Sequence, residues 1–272
     1  LLHRAGIPAI PGADLDLDVL TDPAATLEVI CDAKLLSRPG TTLAYHAITR
    51  GFVLAEIVKR VSGRDIRAFL DEEIRKPLGF ETLSYGVPLA QAEAVAREAF
   101  TGVAPRFGTS RFLERSLGVD LKTAVDISND VRFRTGIVPS GNVICTPSDA
   151  CMFMELLLRG GELSGVRIFD ERTVRRATSE QTWLELDRVI LLPIRYSMGF
   201  MLGGKRLSFY GPGTPEAFGH LGFTNVLIWA DPERDISCAF LNTGKPFLTP
   251  EMVMWFDVMR TIANRIPRTP MR

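Results

Sequence analysis

The 272-residue sequence predicts a mixed α/β (α+β) fold, in which helices dominate the first half and short strands appear in the second. Up to about residue 135, apolar residues recur at helical spacing between long connections. From about residue 136, a helix is followed by strand-like runs joined by turns, and an amphipathic helix follows over residues 250–264. We therefore expect a mostly helical subdomain over residues 1–135 and a sheet-plus-helix subdomain over 136–272.

Local signals position the helices of the first half. Asp22 and Pro23, a capping residue followed by a first-turn proline, start a helix over residues 24–33. The apolar residues of 48–61 recur at helical spacing, and Gly63 supplies a stop. The remaining predicted helices cover residues 65–74 (ending before Pro77), 89–98 and 121–129.

The second half combines helices with short strands. Thr146 and Pro147 form a capped helix start that leads into residues 150–159. Strand-like runs at 196–202 and 206–210 are joined through two glycines, which predicts a hairpin. The other predicted elements are a helix near 171–180 and strands at 225–230 and 236–241.

Charge and cysteine usage exclude several classes of function. Lys plus Arg and Asp plus Glu number 32 each, so no global field attracts nucleic acid or an anionic membrane. The four cysteines lie in apolar contexts without metal-ligand spacing, which favours free core thiols in a reducing compartment, with one disulfide as the alternative. Apolar stretches are too short to span a membrane. The sequence therefore predicts no metal, no cofactor, no nucleic-acid partner and no transmembrane segment, and it gives no indication of oligomeric state.

Familiar catalytic signatures of other enzyme classes are missing from these residues. No Gly-x-Ser-x-Gly motif is present, so an α/β-hydrolase nucleophile elbow is unsupported. The three histidines, His3, His46 and His220, form no His-Glu-x-x-His pattern, which argues against a zinc peptidase. Glycine-rich phosphate-binding patterns are also absent.

Two short motifs carry chemistry of a different kind. Tyr45-His46-Ala47 opens the amphipathic helix of residues 48–61, and His220-Leu221-Gly222-Phe223 precedes the two apolar strands. Each motif also has a plain structural interpretation. Tyr45 could be a tyrosine packed at a helix start with its hydroxyl bonded to backbone, and His220 a strand-edge histidine beside a turn glycine.

These motifs and several other segments, in the same order along the chain, resemble the serine β-lactamase and penicillin-binding-protein superfamily (class C β-lactamase-related), in its esterase-like branch. Each match is weak alone, and the ordered set is specific. The further segments are residues 1–8 (Leu-Leu-His-Arg-Ala-Gly-Ile-Pro), 39–45 (Pro-Gly-x-x-x-x-Tyr), 76–79 (Lys-Pro-Leu-Gly), 146–149 (Thr-Pro-Ser-Asp) and 156–161, which ends in Gly-Gly.

The resemblance implies a β-lactamase/transpeptidase-like fold, with a helical subdomain packed on an antiparallel sheet flanked by helices. Members carry their nucleophile in a Ser-x-x-Lys motif, and none of the serines here has a lysine three residues on. We therefore expect that an N-terminal part with this motif, the nucleophile helix and the first strands is missing. Residues 236–241 are apolar on both faces, which suits a covered strand beside such N-terminal strands.

The resemblance also implies roles for individual residues. Tyr45 would take or relay the proton of the nucleophile, which requires a pKa lowered by nearby cations. His220 would bind a substrate carboxylate or transfer a proton, Gly222 would allow close approach of the substrate, and the Phe223 N–H would help hold the oxyanion. His46 either lines the pocket or sits in a polar crevice. Thr224 completes the His-x-Gly-Phe-Thr pattern of esterase-like members and is a candidate substrate-binding residue.

Departures from the lactam-cleaving pattern favour an esterase. Ala47 stands where lactam-binding relatives carry an asparagine for the substrate amide, and it cannot make that hydrogen bond. The resemblance then implies a carboxylesterase acting through an acyl-enzyme on small-molecule esters with short or medium acyl chains. The alternatives are a β-lactamase or D-alanyl carboxypeptidase, an acyltransferase, and a non-catalytic binding protein without the nucleophile.

Overall fold

The structure, a computed structural model, describes residues 1–10, 16–103, 114, 118–247 and 250–269. The α-helices are α1 (Leu17–Leu20), α2 (Pro23–Cys31), α3 (Thr49–Ser62), α4 (Ile66–Leu70), α5 (Lys76–Leu78), α6 (Leu121–Asn129), α7 (Val131–Thr135), α8 (Pro147–Leu158), α9 (Glu171–Thr178) and α10 (Pro250–Arg265). A π-helical turn (Asp71–Arg75) joins α4 to α5, and a 3-10 helix covers Leu89–Ala94.

The strands are β1 (Ser84–Tyr85), β2 (Ala99–Phe100), β3 (Val143–Ile144), β4 (Glu162–Leu163), β5 (Val166–Arg167), β6 (Glu185–Leu186), β7 (Pro193–Ile194), β8 (Met201–Leu202), β9 (Phe218–Leu221), β10 (Leu227–Asp231), β11 (Ile236–Phe240) and β12 (Gly244–Lys245). The main sheet is antiparallel with the order β11-β10-β9-β8. The pairs β1–β3, β4–β5 and β6–β7 are antiparallel, and β2 pairs in parallel with β12.

Helices cover both faces of the main sheet, as expected. Along β10, alternate side chains point to opposite faces. Leu227 and Trp229 pack with Trp255 and Met259 of α10. Ala230 packs on the other face with Met154 of α8. The sheet is therefore the middle layer between α8 and α10.

The apolar pattern of β11 is explained by the same layering. Cys238 and Phe240 pack against the cluster on the α10 side, whereas Ser237 contacts Cys151 of α8. Both faces are thus covered, although within the described residues β11 lies at the edge of the sheet.

Capping signals predicted several helix ends correctly. Asp22 accepts hydrogen bonds from the first turn of α2, and Thr146 accepts one from Asp149 N at the start of α8. Gly63, in the left-handed conformation with φ 74°, ends α3.

Two helix predictions are wrong in extent. The helix predicted to stop before Pro77 continues to Leu78, because a π turn widens the backbone just where the proline ring would meet the preceding turn. The predicted helix over 89–98 is only a 3-10 helix to Ala94. Glu98 instead donates its N–H to Asn129 Oδ1 (2.9 Å) and accepts from Asn129 Nδ2 (2.7 Å), which holds the chain extended.

The predicted hairpin of 196–202 and 206–210 does not form. Within the first run only β8 is a strand, and it pairs with β9. Gly203 donates its N–H to Ala217 O at 2.7 Å, and a Cβ at this position would lie 1.9 Å from Thr214 O. This glycine therefore serves a close backbone contact, not a turn between two strands.

The described part of the chain contains no helix with the length and hydropathy needed to cross a membrane.

Candidate active site

The two sequence motifs meet in the structure. Tyr45 lies in the segment just before α3, and its half-buried ring is 5.8 Å from the His220 ring, centroid to centroid. His220 is on β9, at the end that leads into the Gly222 turn. The ring of His3 packs on Tyr45 at 4.8 Å, so residues from three distant parts of the chain form one cluster.

His220 presents an unused acceptor to this cluster. Its Nδ1 lies 2.7 Å from Leu221 O, so Nδ1 carries the proton and donates to that carbonyl. Its Nε2 is buried and has no hydrogen-bond partner among the described residues. Burial, with a smaller effect of Arg50, lowers the pKa of His220 to about 4. The imidazole is therefore neutral at pH 7, with a free acceptor nitrogen beside Tyr45.

Tyr45 lacks the lowered pKa that a proton relay needs. Burial raises the pKa of its phenol, Arg50 opposes this rise, and Asp187 adds to it. The cation that the resemblance assigns to the Ser-x-x-Lys lysine is not replaced by Arg50, because burial outweighs its effect.

His46 has a structural role in this chain. Its Nδ1–H donates to Ala44 O, and its Nε2 accepts the Ile7 N–H at 3.2 Å. Both ring nitrogens are therefore occupied, and burial lowers the pKa of His46. This favours the polar-crevice interpretation over a pocket-lining one.

His3 also joins the start of the chain to the segment of residues 44–46. Its backbone O accepts the Ala44 N–H, and its Nδ1 accepts the His46 N–H, both at 3.0 Å. Burial, with Arg50 second, lowers the pKa of His3 to about 2, so the ring is neutral. Because a neutral imidazole has one acceptor nitrogen, the 3.0 Å contact of Nε2 with Arg50 cannot be a second accepted hydrogen bond at the same time.

The turn after His220 contains further polar groups that have no partner among the described residues. Gly222 donates its N–H to Val226 O at 2.8 Å, and Thr224 has a left-handed backbone, with φ 34°. Thr224 Oγ1 is buried without a partner, and the Phe223 N–H finds no acceptor within the described ranges. Buried polar groups are rarely left unpaired, and such exceptions often mark functional sites. The candidate residues Gly222, Phe223 and Thr224 therefore lie together beside His220.

Two anchoring residues were not predicted from the sequence. The buried carboxylate of Asp187 accepts the Tyr45 N–H at 3.0 Å, across 142 residues of sequence. The buried Lys245 Nζ lies 3.2 Å from Phe223 O and 3.1 Å from Glu98 Oε1. Asp187 thus holds the Tyr45 motif and Lys245 holds the turn after His220. Neither has a local sequence signal, because their partners are distant in the chain.

Arg50 is a basic residue whose charge acts on all three rings of the cluster. It follows Thr49 at the start of α3. Its charge adds to the effect of burial in lowering the pKa values of His3 and His220, and it opposes the rise that burial causes in the pKa of Tyr45. Within the described residues, no group of three or more His, Cys, Asp or Glu side chains is arranged to hold a metal ion. The phenol of Tyr45, the imidazole of His220 and the Phe223 N–H are groups that can exchange protons or hydrogen-bond to a polarised oxygen.

Comparison with known proteins identifies related sequences and structures. The chain is 26% identical over 255 residues to the esterase/beta-lactamase LipL of Mycobacterium tuberculosis (strain ATCC 25618 / H37Rv), covering 88% of this chain and 56% of LipL. The chain thus spans little more than half the length of this relative.

Solved structures show the same fold. A penicillin-binding protein homologue from Caulobacter crescentus superposes with a TM-score of 0.78 at 28% identity, covering 94% of this chain and 68% of the homologue. A family VIII carboxylesterase gives a TM-score of 0.79 at 23% identity, covering 95% of this chain and 68% of the esterase. The profile of the Beta-lactamase family matches residues 1–259. This match covers most of the sequence and includes both motifs, so the chain belongs to the Beta-lactamase family.

Proposed function

We propose that this protein is a serine hydrolase of the carboxylesterase type, acting on small esters with short or medium acyl chains through an acyl-enzyme. The nucleophile would be a serine in a Ser-x-x-Lys segment outside these 272 residues. The observation that carries the proposal is the proximity of the Tyr45 and His220 rings, whose centroids are 5.8 Å apart. Among the described residues, His220 Nε2 and the nearby Phe223 N–H have no hydrogen-bond partner.

Each group has a definite task in this reaction. The serine Oγ attacks the ester carbonyl carbon, and its proton passes to or through the Tyr45 oxygen. The carbonyl oxygen becomes negative and is held by the Phe223 N–H and the N–H of the serine. The C–O bond to the alcohol then breaks, and the alcohol leaves with the proton. Water repeats the sequence on the acyl-enzyme and releases the acid.

The Ser-x-x-Lys lysine would lower the pKa of Tyr45. Burial alone raises this pKa, and Arg50 does not overcome the effect. A second cation close to the phenol would favour the phenolate. In the same arrangement the neutral His220 would accept a hydrogen bond from the leaving alcohol or the incoming water.

Two features support an ester over a lactam substrate. Ala47 cannot hydrogen-bond a lactam side-chain amide, and the neutral His220 stands where lactam-cleaving members carry a lysine. The relative LipL is named for both activities. Nitrocefin turnover above ester turnover would therefore replace the esterase proposal with a β-lactamase one, and acyl transfer to an added alcohol would indicate an acyltransferase.

The decisive experiment is Tyr45→Phe in the protein as its source organism produces it. We expect the rate of acylation by p-nitrophenyl butyrate to fall by about 100-fold or more. Tyr210→Phe is the matched control, because Tyr210 is a buried tyrosine that donates its O–H to Met201 O at 2.8 Å, outside the cluster. Equal rates for Tyr45→Phe and the unmodified enzyme would remove Tyr45 from the mechanism.

A second candidate is a non-catalytic binding protein. It is favoured by the raised pKa of Tyr45 and by the absence of a Ser-x-x-Lys motif from these residues. The intact mass of the protein isolated from its source separates the two. A mass well above 30.1 kDa supports an additional segment with the nucleophile, and a mass near 30.1 kDa supports the binding role.

A further inference from the structure

A lysine is buried beside the candidate active site. The Lys245 side chain is 1% exposed, and its Nζ lies 3.1–3.2 Å from three acceptors, Glu98 Oε1, Phe223 O and Asn242 O. An ammonium group has three N–H donors, so this set of acceptors uses all of them. Replacing a buried ion pair by uncharged residues is often neutral or stabilising. Stability alone therefore does not account for a lysine at this position.

The turn that Lys245 contacts has a strained backbone, and we call its residues 222–226 the oxyanion turn. Thr224 and Asn225 both have left-handed angles, with φ 34° and 30°. Non-glycine residues keep such angles only where surrounding contacts impose them. The turn is closed by the Gly222 N–H, which donates to Val226 O at 2.8 Å. Its shape therefore depends on contacts from outside the turn.

Two side chains near β12 supply those contacts. Lys245 Nζ donates to the carbonyl of Phe223, and Asn242 Nδ2 donates to the carbonyl of Asn225. These carbonyls lie on either side of the Thr224–Asn225 peptide bond. Lys245 Nζ also lies 5.4 Å from the centre of the Phe223 ring, a cation–π contact that holds the side chain of the same residue. Both halves of the oxyanion turn are thus fixed from β12 and the segment before it.

Lys245 is itself held from the helical half of the sequence. Its ion-pair partner is Glu98, whose backbone N–H and C=O both bond to the Asn129 side chain at the end of α6, at 2.9 and 2.7 Å. The Ala99 N–H donates to Thr243 O at 2.9 Å, next to the pairing of β2 with β12. A continuous set of polar contacts therefore leads from α6 through Glu98 and Lys245 to the oxyanion turn.

We propose that Lys245 is a positioning residue for ester hydrolysis, and that its ammonium holds the Phe223 backbone so that the Phe223 N–H meets the developing oxyanion. This inference rests on the proposed function, because the oxyanion forms only in that reaction. Lys245 acts through Phe223 and does not touch the substrate. Donors of an oxyanion hole stabilise the transition state because they are fixed in advance. Without Lys245 the strained turn would relax, and the transition state would lose a donor while substrate binding changed little.

A double variant separates positioning from stability. Lys245→Met alone leaves the Glu98 carboxylate without its cation, whereas Lys245→Met with Glu98→Gln removes the whole ion pair. The matched control is Arg234→Met with Asp231→Asn. It removes another buried ion pair, of 2.8 Å, at the end of β10 that is remote from the oxyanion turn. If Lys245 only stabilised the fold, the two double variants would have similar activity.

Two substrates, tested with the protein as its source organism produces it, provide the specific readout. For p-nitrophenyl butyrate, we expect kcat of the Lys245 double variant to fall about tenfold or more, with KM changed less than about twofold, since losing an oxyanion donor costs about 100- to 1000-fold. In the thiono analogue, sulfur replaces the carbonyl oxygen. Its kcat should fall less than about threefold, because sulfur is a weak hydrogen-bond acceptor. The control should lower neither rate by more than about twofold.

Hydrogen exchange tests the same inference without catalysis. In the Lys245 double variant, the backbone amides of residues 222–226 should exchange about tenfold faster, and those of α8 should be unchanged. Unchanged exchange in the oxyanion turn would overturn the proposal. So would an unchanged kcat, an equal loss for the ester and its thiono analogue, or an equal loss in the control. An unmodified protein that hydrolyses neither substrate would refute the proposed function and the positioning role with it, although faster exchange would still show that Lys245 holds the turn.

Discussion

Asp187→Ala should destabilise the protein strongly, because the carboxylate of Asp187 satisfies several backbone groups at once. Its Oδ1 accepts the N–H groups of Tyr45, Val189 and Ile190 at 2.8–3.0 Å, and its Oδ2 accepts the Tyr196 hydroxyl at 3.4 Å. A buried N–H without an acceptor costs about 1–3 kcal/mol. With water reaching part of the space left by the side chain, we expect a loss of about 3 kcal/mol for the three groups.

Two companion variants test that account by urea unfolding. Asp187→Asn keeps an oxygen acceptor and should lose no more than about 1 kcal/mol. Asp120→Ala removes a carboxylate that accepts the N–H groups of Lys122 and Thr123, but at an exposed helix start. Its cost should be about 1 kcal/mol, because water replaces the cap. The reasoning fails if Asp187→Ala costs no more than Asp120→Ala, or if Asp187→Asn costs as much as Asp187→Ala.

Three further predictions follow from buried charges and histidines. Lys245→Met should lower the free energy of unfolding by about 3 kcal/mol in a denaturant titration, because it leaves Glu98 without its cation. Lys245→Arg keeps a cation beside Glu98, so its free energy of unfolding should fall by less than that of Lys245→Met. Arg234→Met should cost about 3–5 kcal/mol, since Asp231 beside it is buried, whereas Arg260→Met breaks only an exposed pair and should cost less than about 1 kcal/mol. Burial lowers the folded-state pKa of His220 from 6.5 to about 4, so only the unfolded chain takes up this proton between those pH values. The free energy of unfolding should therefore fall on acidification through this window, by at most about 1.4 kcal/mol per pH unit from this residue, and His220→Gln should remove that part of the slope.

Local signals predicted much of the secondary structure. Asp22 and Thr146 cap helices, and Gly63 ends one, because capping depends on residues within one turn of the helix end. Gly203 misled the prediction for a physical reason. A glycine that permits a close contact with Thr214 has the same appearance in a sequence as a glycine in a turn.

Only those candidate site residues that belong to the family motifs could be predicted from the sequence. The motifs named Tyr45 and His220, and the structure places their rings together. The carboxylate of Asp187 and the ammonium of Lys245 act on backbone groups that no periodicity connects to them. Sequence spacing carries no information about such contacts, because they arise only when the chain has folded.

The parallel pairing of β2 with β12 ties the two halves of the sequence together. Ala99 and Phe100 pair with Gly244 and Lys245, and Lys245 also forms its ion pair with Glu98. Closing so long a loop has a large entropic cost that is recovered only when both ends are already organised, so this step should come late in folding. If the chain were cut between residues 135 and 136, the fragments would separate β2 from β12, and we expect them to regain the native structure only by reassociation. The halves would then behave as mutually dependent parts of one cooperative unit.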